Sequence, residues 1–74
     1  MEKGQIVKCI TSYKPWITKG KAYPIVAVKG DSIVTVSGSY EIKGDYGFAL
    51  IDDDGDCIFS ADLKCSYGVF EVVS

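Results

Sequence analysis

Residues 47–60 combine two short apolar runs with an Asp-Gly pair between them, in the order Gly-Phe-Ala-Leu-Ile-Asp-Asp-Asp-Gly-Asp-Cys-Ile-Phe-Ser. Asp54-Gly55 is typical of a tight type I′ turn, because both central residues of that turn take positive φ angles. The segment therefore predicts a β-hairpin made of residues 46–52 and 56–59. Four carboxylates gather at its tip, those of Asp52, Asp53, Asp54 and Asp56.

The rest of the chain repeats this pattern of short apolar runs separated by turn residues. Further strands are predicted over residues 5–10, 21–29, 32–36 and 69–73. Pro24 indicates that the second strand lies at a sheet edge or begins just after the proline, because proline donates no ladder hydrogen bond. Residues 33–36 and 40–42 fit a small hairpin around a Ser37-Gly38-Ser39 turn. A single flexible excursion over residues 37–47 fits as well, because three glycines loosen it.

A single helical turn is predicted over residues 60–64, where Ser60 can cap it and Asp62 suits its positively polarised start. No segment predicts a helix long enough to cover a sheet. Five or six short strands can bury a core by closing into a small barrel, which also removes exposed edges. We therefore predict an all-β, SH3-like barrel formed by residues 1–74 as one domain, with an OB barrel as the alternative.

The chain has eight basic residues, all of them lysines, and a formal net charge of −2. Without arginine it lacks the usual side chain for reading guanine or clamping phosphate. Without histidine it lacks the commonest general base and metal ligand. The composition therefore disfavours an enzyme and a sequence-specific nucleic-acid binder, and we predict no catalytic residue, no metal and no cofactor.

The three cysteines, Cys9, Cys57 and Cys65, sit in or beside apolar runs, where free thiols behave as small hydrophobic groups. Reduced cysteines are the preferred interpretation, and a Cys57–Cys65 disulfide is the alternative. The spacing of a zinc knuckle is absent. The sequence contains neither the long apolar core of a signal peptide nor a run of membrane-spanning length, so we expect a cytoplasmic protein with no membrane partner.

Three segments resemble a group of small phage and prophage proteins. They are residues 18–25 (Thr-Lys-Gly-Lys-Ala-Tyr-Pro-Ile), 51–59 (Ile-Asp-Asp-Asp-Gly-Asp-Cys-Ile-Phe) and 68–73 (Gly-Val-Phe-Glu-Val-Val). The group shares a Lys-Gly-Lys-x-Tyr-x-Val exit from the first loop, an Asp-Asp-x-Gly-Asp hairpin and a Phe/Trp-Glu-x-Val ending. The resemblance implies an SH3-like fold and a virus-encoded accessory protein in the host cytoplasm, without implying one activity. Residues 32–45 are an extra segment relative to the short form of the group.

The acidic hairpin tip is the first candidate site. An EF-hand is excluded, because aligning Gly55 with its invariant glycine puts Leu50 at the first ligand and Ala61 at the bidentate glutamate. A cation site of another kind, a solvated turn and an acidic docking patch for a basic partner remain as interpretations. As a docking patch, the tip would contact its partner through Asp52, Asp53 and Asp56.

Aromatic side chains of the long first loop and of the later loops form the second candidate site. Tyr13, Trp16, Tyr40 and Tyr46 could line a shallow groove for a protein segment if these loops converge, with Lys19 at its border. The alternative is that the rings only cover the ends of the barrel. The lysines of the same loop also fit single-stranded nucleic acid, although the acidic net charge argues against it.

The sequence thus predicts a non-enzymatic module, encoded by a phage, that contacts and inhibits or redirects a host protein. A weak single-stranded nucleic-acid-binding barrel and a structural accessory component of the phage particle are the alternatives. We further expect a polarised molecule, with negative charge on the hairpin tip and with lysines and aromatic rings on the loop of residues 11–21.

Overall fold

Short strands follow one another along the whole chain, and no helix interrupts them. The computed structural model describes residues 1–74. The strands are β1 (Ile6–Ser12), β2 (Ala22–Pro24), β3 (Ala27–Val28), β4 (Ser32–Thr35), β5 (Gly38–Glu41), β6 (Phe48–Ile51), β7 (Cys57–Ser60), β8 (Lys64–Cys65) and β9 (Gly68–Val72). The all-β prediction is confirmed, although there are nine short strands where five or six were expected. The chain contains no helix that could span a membrane.

The strands form three antiparallel sheets. Their orders are β2-β1-β9-β8, β3-β6-β7 and β4-β5. Pro24 lies in the edge strand β2, as its missing N–H requires. The three hydrogen-bond ladders stay separate and no closed barrel is detected, so the SH3-like arrangement remains a prediction.

The chain passes from the first sheet to the second at two consecutive residues. The Ile25 amide donates to the carbonyl of Gln5 beside β1, at 2.8 Å. The Val26 amide donates to the carbonyl of Ala49 in β6, at 2.9 Å. The single strand predicted over residues 21–29 is therefore wrong, because neighbouring amides bond to different sheets and divide it into β2 and β3.

Both larger sheets contribute side chains to the main core. Strand β1 alternates between buried and exposed residues, with Val7 and Cys9 fully buried and Lys8 exposed between them. The rings of Phe48 and Phe70 meet edge to face with centroids 6.0 Å apart, a favourable aromatic geometry. The complete cluster is Val7, Cys9, Ile17, Tyr23, Ile25, Phe48, Leu50 and Phe70.

A smaller cluster supports the β4–β5 hairpin, which the sequence predicted as one of two interpretations. Its members are Ala27, Ile33, Ile42 and Ala49. The hairpin is confirmed, but its loop differs from the expected turn at residues 37–39. Thr35 pairs with Gly38, so the two loop residues are Val36 and Ser37.

The helical turn predicted over residues 60–64 is wrong. The Ser60 hydroxyl does accept a hydrogen bond from the Asp62 amide at 3.1 Å, as a capping residue would. The chain then extends into β8, and the Leu63 carbonyl accepts a hydrogen bond from the Phe70 amide at 2.8 Å. Pairing with β9 satisfies backbone groups that an isolated helical turn would leave exposed.

Candidate interaction groove

The tip of the β6–β7 hairpin is a three-residue loop rather than a two-residue turn. The Asp52 amide donates to the Asp56 carbonyl at 2.9 Å, and the Gly55 amide donates back to the Asp52 carbonyl at 3.1 Å. Gly55 has φ +85°, whereas no residue other than glycine has a positive φ. The predicted type I′ turn, which needs positive φ at Asp54 as well, is therefore wrong, and the loop matches a turn followed by a left-handed glycine.

The Asp52 carboxylate organises this loop from within. Asp52 is only 8% exposed. Its Oδ1 accepts hydrogen bonds from the amides of Asp54 and Asp56, both at 2.9 Å. These bonds favour the longer loop, because they satisfy two amides at the hairpin tip that would otherwise need water.

The Asp53 carboxylate joins the hairpin tip to the long loop between β1 and β2. It accepts hydrogen bonds from Thr18 Oγ1 at 2.5 Å, Lys21 Nζ at 2.5 Å and Tyr23 OH at 2.9 Å. The Lys21 ammonium and then the Thr18 hydroxyl lower the pKa of Asp53 to about 2. In return, the hydrogen bond to Asp53 raises the pKa of Lys21. We call these four residues the Asp53 cluster.

Backbone hydrogen bonds hold the same loop against its neighbours. The Asp53 amide donates to the Trp16 carbonyl at 2.9 Å, and the Tyr13 amide donates to the Tyr67 carbonyl at 3.0 Å. Ile17 is 2% exposed and anchors the loop in the main core. The expected separation of an acidic tip from a basic aromatic loop is therefore wrong, because the two are bonded neighbours.

A groove of about 330 Å³ opens where the long loop, the acidic hairpin, the β4–β5 loop and the β8–β9 turn meet. We call it the interaction groove. One part of its lining is apolar, and the other part consists of carboxylate-bearing residues. The lining residues are Trp16, Val36, Asp52, Asp54, Asp56, Cys57, Ile58 and Tyr67.

The groove combines a strong negative charge with an aromatic wall. Trp16 is half-buried against the core, so part of its indole faces the groove. The Lys14 ammonium lies over that ring, with its Nζ 5.7 Å from the ring centroid. Burial raises the pKa of the Cys57 thiol, which disfavours the reactive thiolate. No three His, Cys, Asp or Glu side chains lie together in a way that could hold a metal ion.

The structure brings together only some of the residues predicted for the two candidate sites. Trp16, Asp52 and Asp56 line the interaction groove, and Asp53 lies beside it in the Asp53 cluster. The remaining predicted residues do not line it. Tyr13 and Tyr46 are 59% and 70% exposed, and Lys19 is exposed. Tyr40 packs at a tilt against Phe59, with ring centroids 5.6 Å apart.

Several groove residues were not singled out as site residues from the sequence. Val36 carried no signal, because the sequence placed it in a strand over residues 32–36, whereas it lies in the β4–β5 loop and is 86% exposed. Tyr67 carried none, because only the pairing of β8 with β9 turns this residue toward the long loop. The other three are Asp54, Cys57 and Ile58.

All three cysteines are free in the structure. Reduced cysteines were the preferred interpretation, and the Cys57–Cys65 disulfide is not formed.

Comparison with protein families, curated proteins and solved structures finds no match to this chain.

Proposed function

We propose that this chain is a phage-encoded, non-enzymatic binding module of SH3-like architecture that contacts a host protein in the host cytoplasm and inhibits or redirects it. The interaction groove is the observation that carries the proposal. It joins an aromatic ring and apolar side chains, which are enriched in protein recognition sites, with carboxylates that can complement a basic partner. The phage origin is supported by the three sequence segments described above.

The chemistry of the groove favours binding over catalysis. The chain has no histidine, and Cys57 is the one thiol in the groove lining. Because burial raises the pKa of that thiol, it is a poor nucleophile near neutral pH. The carboxylates around Trp16 also oppose a nucleic-acid backbone, since phosphates would approach like charges.

Affinity capture from a lysate of the bacterial host tests the proposal. The wild-type chain should retain a specific host protein, and the double variant Asp54→Asn/Asp56→Asn should lose it. Both carboxylates are exposed, and neither forms a side-chain hydrogen bond that supports the fold. The double variant Glu2→Gln/Glu71→Gln removes the same charge from exposed positions outside the groove lining and should retain the protein.

Trp16→Ala is the second variant for this experiment. It should also lose the host protein, and it should cost about 1 to 2 kcal/mol of stability because the ring is half-buried. Circular dichroism confirms that the variant is folded at the temperature of the capture. Equal retention of the host protein by all of these chains would contradict the proposal.

A further inference from the structure

We infer that the interaction groove binds an arginine and a neighbouring apolar side chain from an extended, unphosphorylated segment of the partner protein. This inference rests on the proposed function and names the chemistry of the partner. It follows from the charge, the aromatic wall and the size of the groove.

The charge of the groove selects a cationic occupant. The carboxylates of Asp54 and Asp56 form no hydrogen bond within the chain, and Asp52 uses its Oδ1 alone, for two backbone amides. The Lys21 ammonium is already occupied by Asp53. Lys14 lies over the Trp16 ring, and no lysine is among the lining residues, so the lining itself carries negative charge.

The aromatic wall favours arginine over lysine. A guanidinium can stack on an indole while its N–H groups pair with carboxylates in a bidentate manner, whereas an ammonium is a strongly hydrated point charge. Trp16 and the acidic hairpin provide both surfaces in one groove. The chain itself contains no arginine, so no side chain of its own supplies this group.

The remaining lining selects an apolar side chain next to the arginine. Val36, Ile58 and Tyr67 supply apolar side chains to the same lining. Val36 and the nearby Val34 are 86% and 74% exposed, so apolar surface remains to be covered. A volume of about 330 Å³ suits a few side chains of an extended segment better than a folded surface.

Trp16 is the sole tryptophan, so its fluorescence reports directly on the groove. The probe is the peptide acetyl-Gly-Arg-Leu-Gly-amide, titrated into the wild-type chain at low ionic strength. We expect a saturable change in emission. The same peptide with citrulline, the neutral analogue of arginine, should bind at least about tenfold more weakly, because it keeps the shape and loses the charge. The lysine peptide should fall between them.

The charge variants locate the contact. Asp54→Asn/Asp56→Asn should weaken binding of the arginine peptide about tenfold. Two ion pairs would be lost, and each exposed ion pair strengthens binding by up to about fivefold. Glu2→Gln/Glu71→Gln should bind it as the wild type does. Equal affinity for the citrulline peptide, or an unchanged affinity of the groove variant, would overturn the inference.

Two further outcomes separate this inference from the proposed function. If the arginine peptide produces no saturable change while capture of a host protein still depends on Asp54 and Asp56, the inferred occupant is wrong and the binding module stands. If neither the peptide nor a host protein binds, both are wrong. A saturable response to oligothymidylate alone would overturn both in favour of a single-stranded nucleic-acid binder.

Discussion

Asp52, Asp53 and Asp54 are consecutive residues whose carboxylates face three different environments. The Asp52 carboxylate accepts hydrogen bonds from two backbone amides inside the hairpin loop. The Asp53 carboxylate belongs to the Asp53 cluster. Asp54 lines the groove, and its carboxylate has no hydrogen-bond partner. A substitution of one aspartate should therefore affect folding, loop attachment or binding, according to its position.

Asp53→Asn should destabilise the protein in a pH-dependent manner. The pKa of Asp53 is about 2 in the folded chain, below its ordinary value of 3.8, so folding favours the ionised carboxylate. The stability that the ionised Asp53 carboxylate contributes is fully present above pH 3.8. It is lost as the pH falls through about 2. The variant should melt below the wild type at pH 6, and the difference should narrow between pH 4 and pH 2 in thermal melts followed by circular dichroism.

Asp54→Asn is the matched control for this measurement. The Asp54 carboxylate has no hydrogen-bond partner in the fold. The melting temperature of the Asp54→Asn variant should therefore follow that of the wild type across the same pH range. A difference between Asp53→Asn and the wild type that stays as large at pH 2 as at pH 6 would show that the ion pair with Lys21 is not its cause.

Gly68 is required where β9 passes close to β1. It has φ +155°, and a Cβ at this position would lie 2.2 Å from the Thr11 carbonyl oxygen. Gly68→Ala should therefore lose about 3 kcal/mol or more in urea unfolding, because backbone strain and a clash with main-chain atoms combine. Gly44→Ala is the control and should change stability by less than about 1 kcal/mol, since the nearest atom is 3.8 Å away. Similar losses at both positions would contradict this explanation.

At the scale of elements, the β4–β5 hairpin is the least supported part of the fold. All four residues of β5 are exposed, and the small cluster beneath the hairpin rests on Ile33 and Ile42. Strand β1, by contrast, is paired on both sides and buries Val7 and Cys9 completely. The two regions should differ in how easily they open.

Native-state hydrogen exchange can measure this difference. Amides paired between β4 and β5 should exchange by local opening at low denaturant, whereas amides of β1 should exchange only with global unfolding. Ile42→Ala should increase the exchange of the hairpin amides and leave those of β1 nearly unchanged, because Ile42 belongs to the small cluster. Equal protection in both regions, or a parallel loss in both, would show that the protein opens as one unit.

At the scale of the whole molecule, long-range contacts turn two separate sequence features into one surface. The acidic hairpin and the aromatic loop are distant in the chain, since Lys21 and Asp53 are 32 positions apart. Their attachment places Trp16 beside Asp54 and Asp56, and the β4–β5 loop adds Val36. The groove therefore combines one residue of the predicted aromatic site, Trp16, with the predicted acidic site.

The local pattern of the sequence was sufficient to predict most strands. Apolar runs and turn residues located most of the strands, and Pro24 indicated an edge strand. The two-residue turn at Asp54-Gly55 and the helical turn after Ser60 were wrong, because both rested on local propensity alone. In each case tertiary or side-chain hydrogen bonds, from the Asp52 carboxylate or from β9, favoured another backbone path.

The sequence by itself determined that this protein is all β and that four of its acidic residues gather at one hairpin tip. These properties depend on period-two patterning and on glycine and proline, which act over a few residues. Only the tertiary structure decided which carboxylate is buried, which is paired and which faces the groove. Those differences depend on partners distant in the chain, above all Lys21 and Trp16, that come within hydrogen-bonding distance of the tip only after the chain has folded.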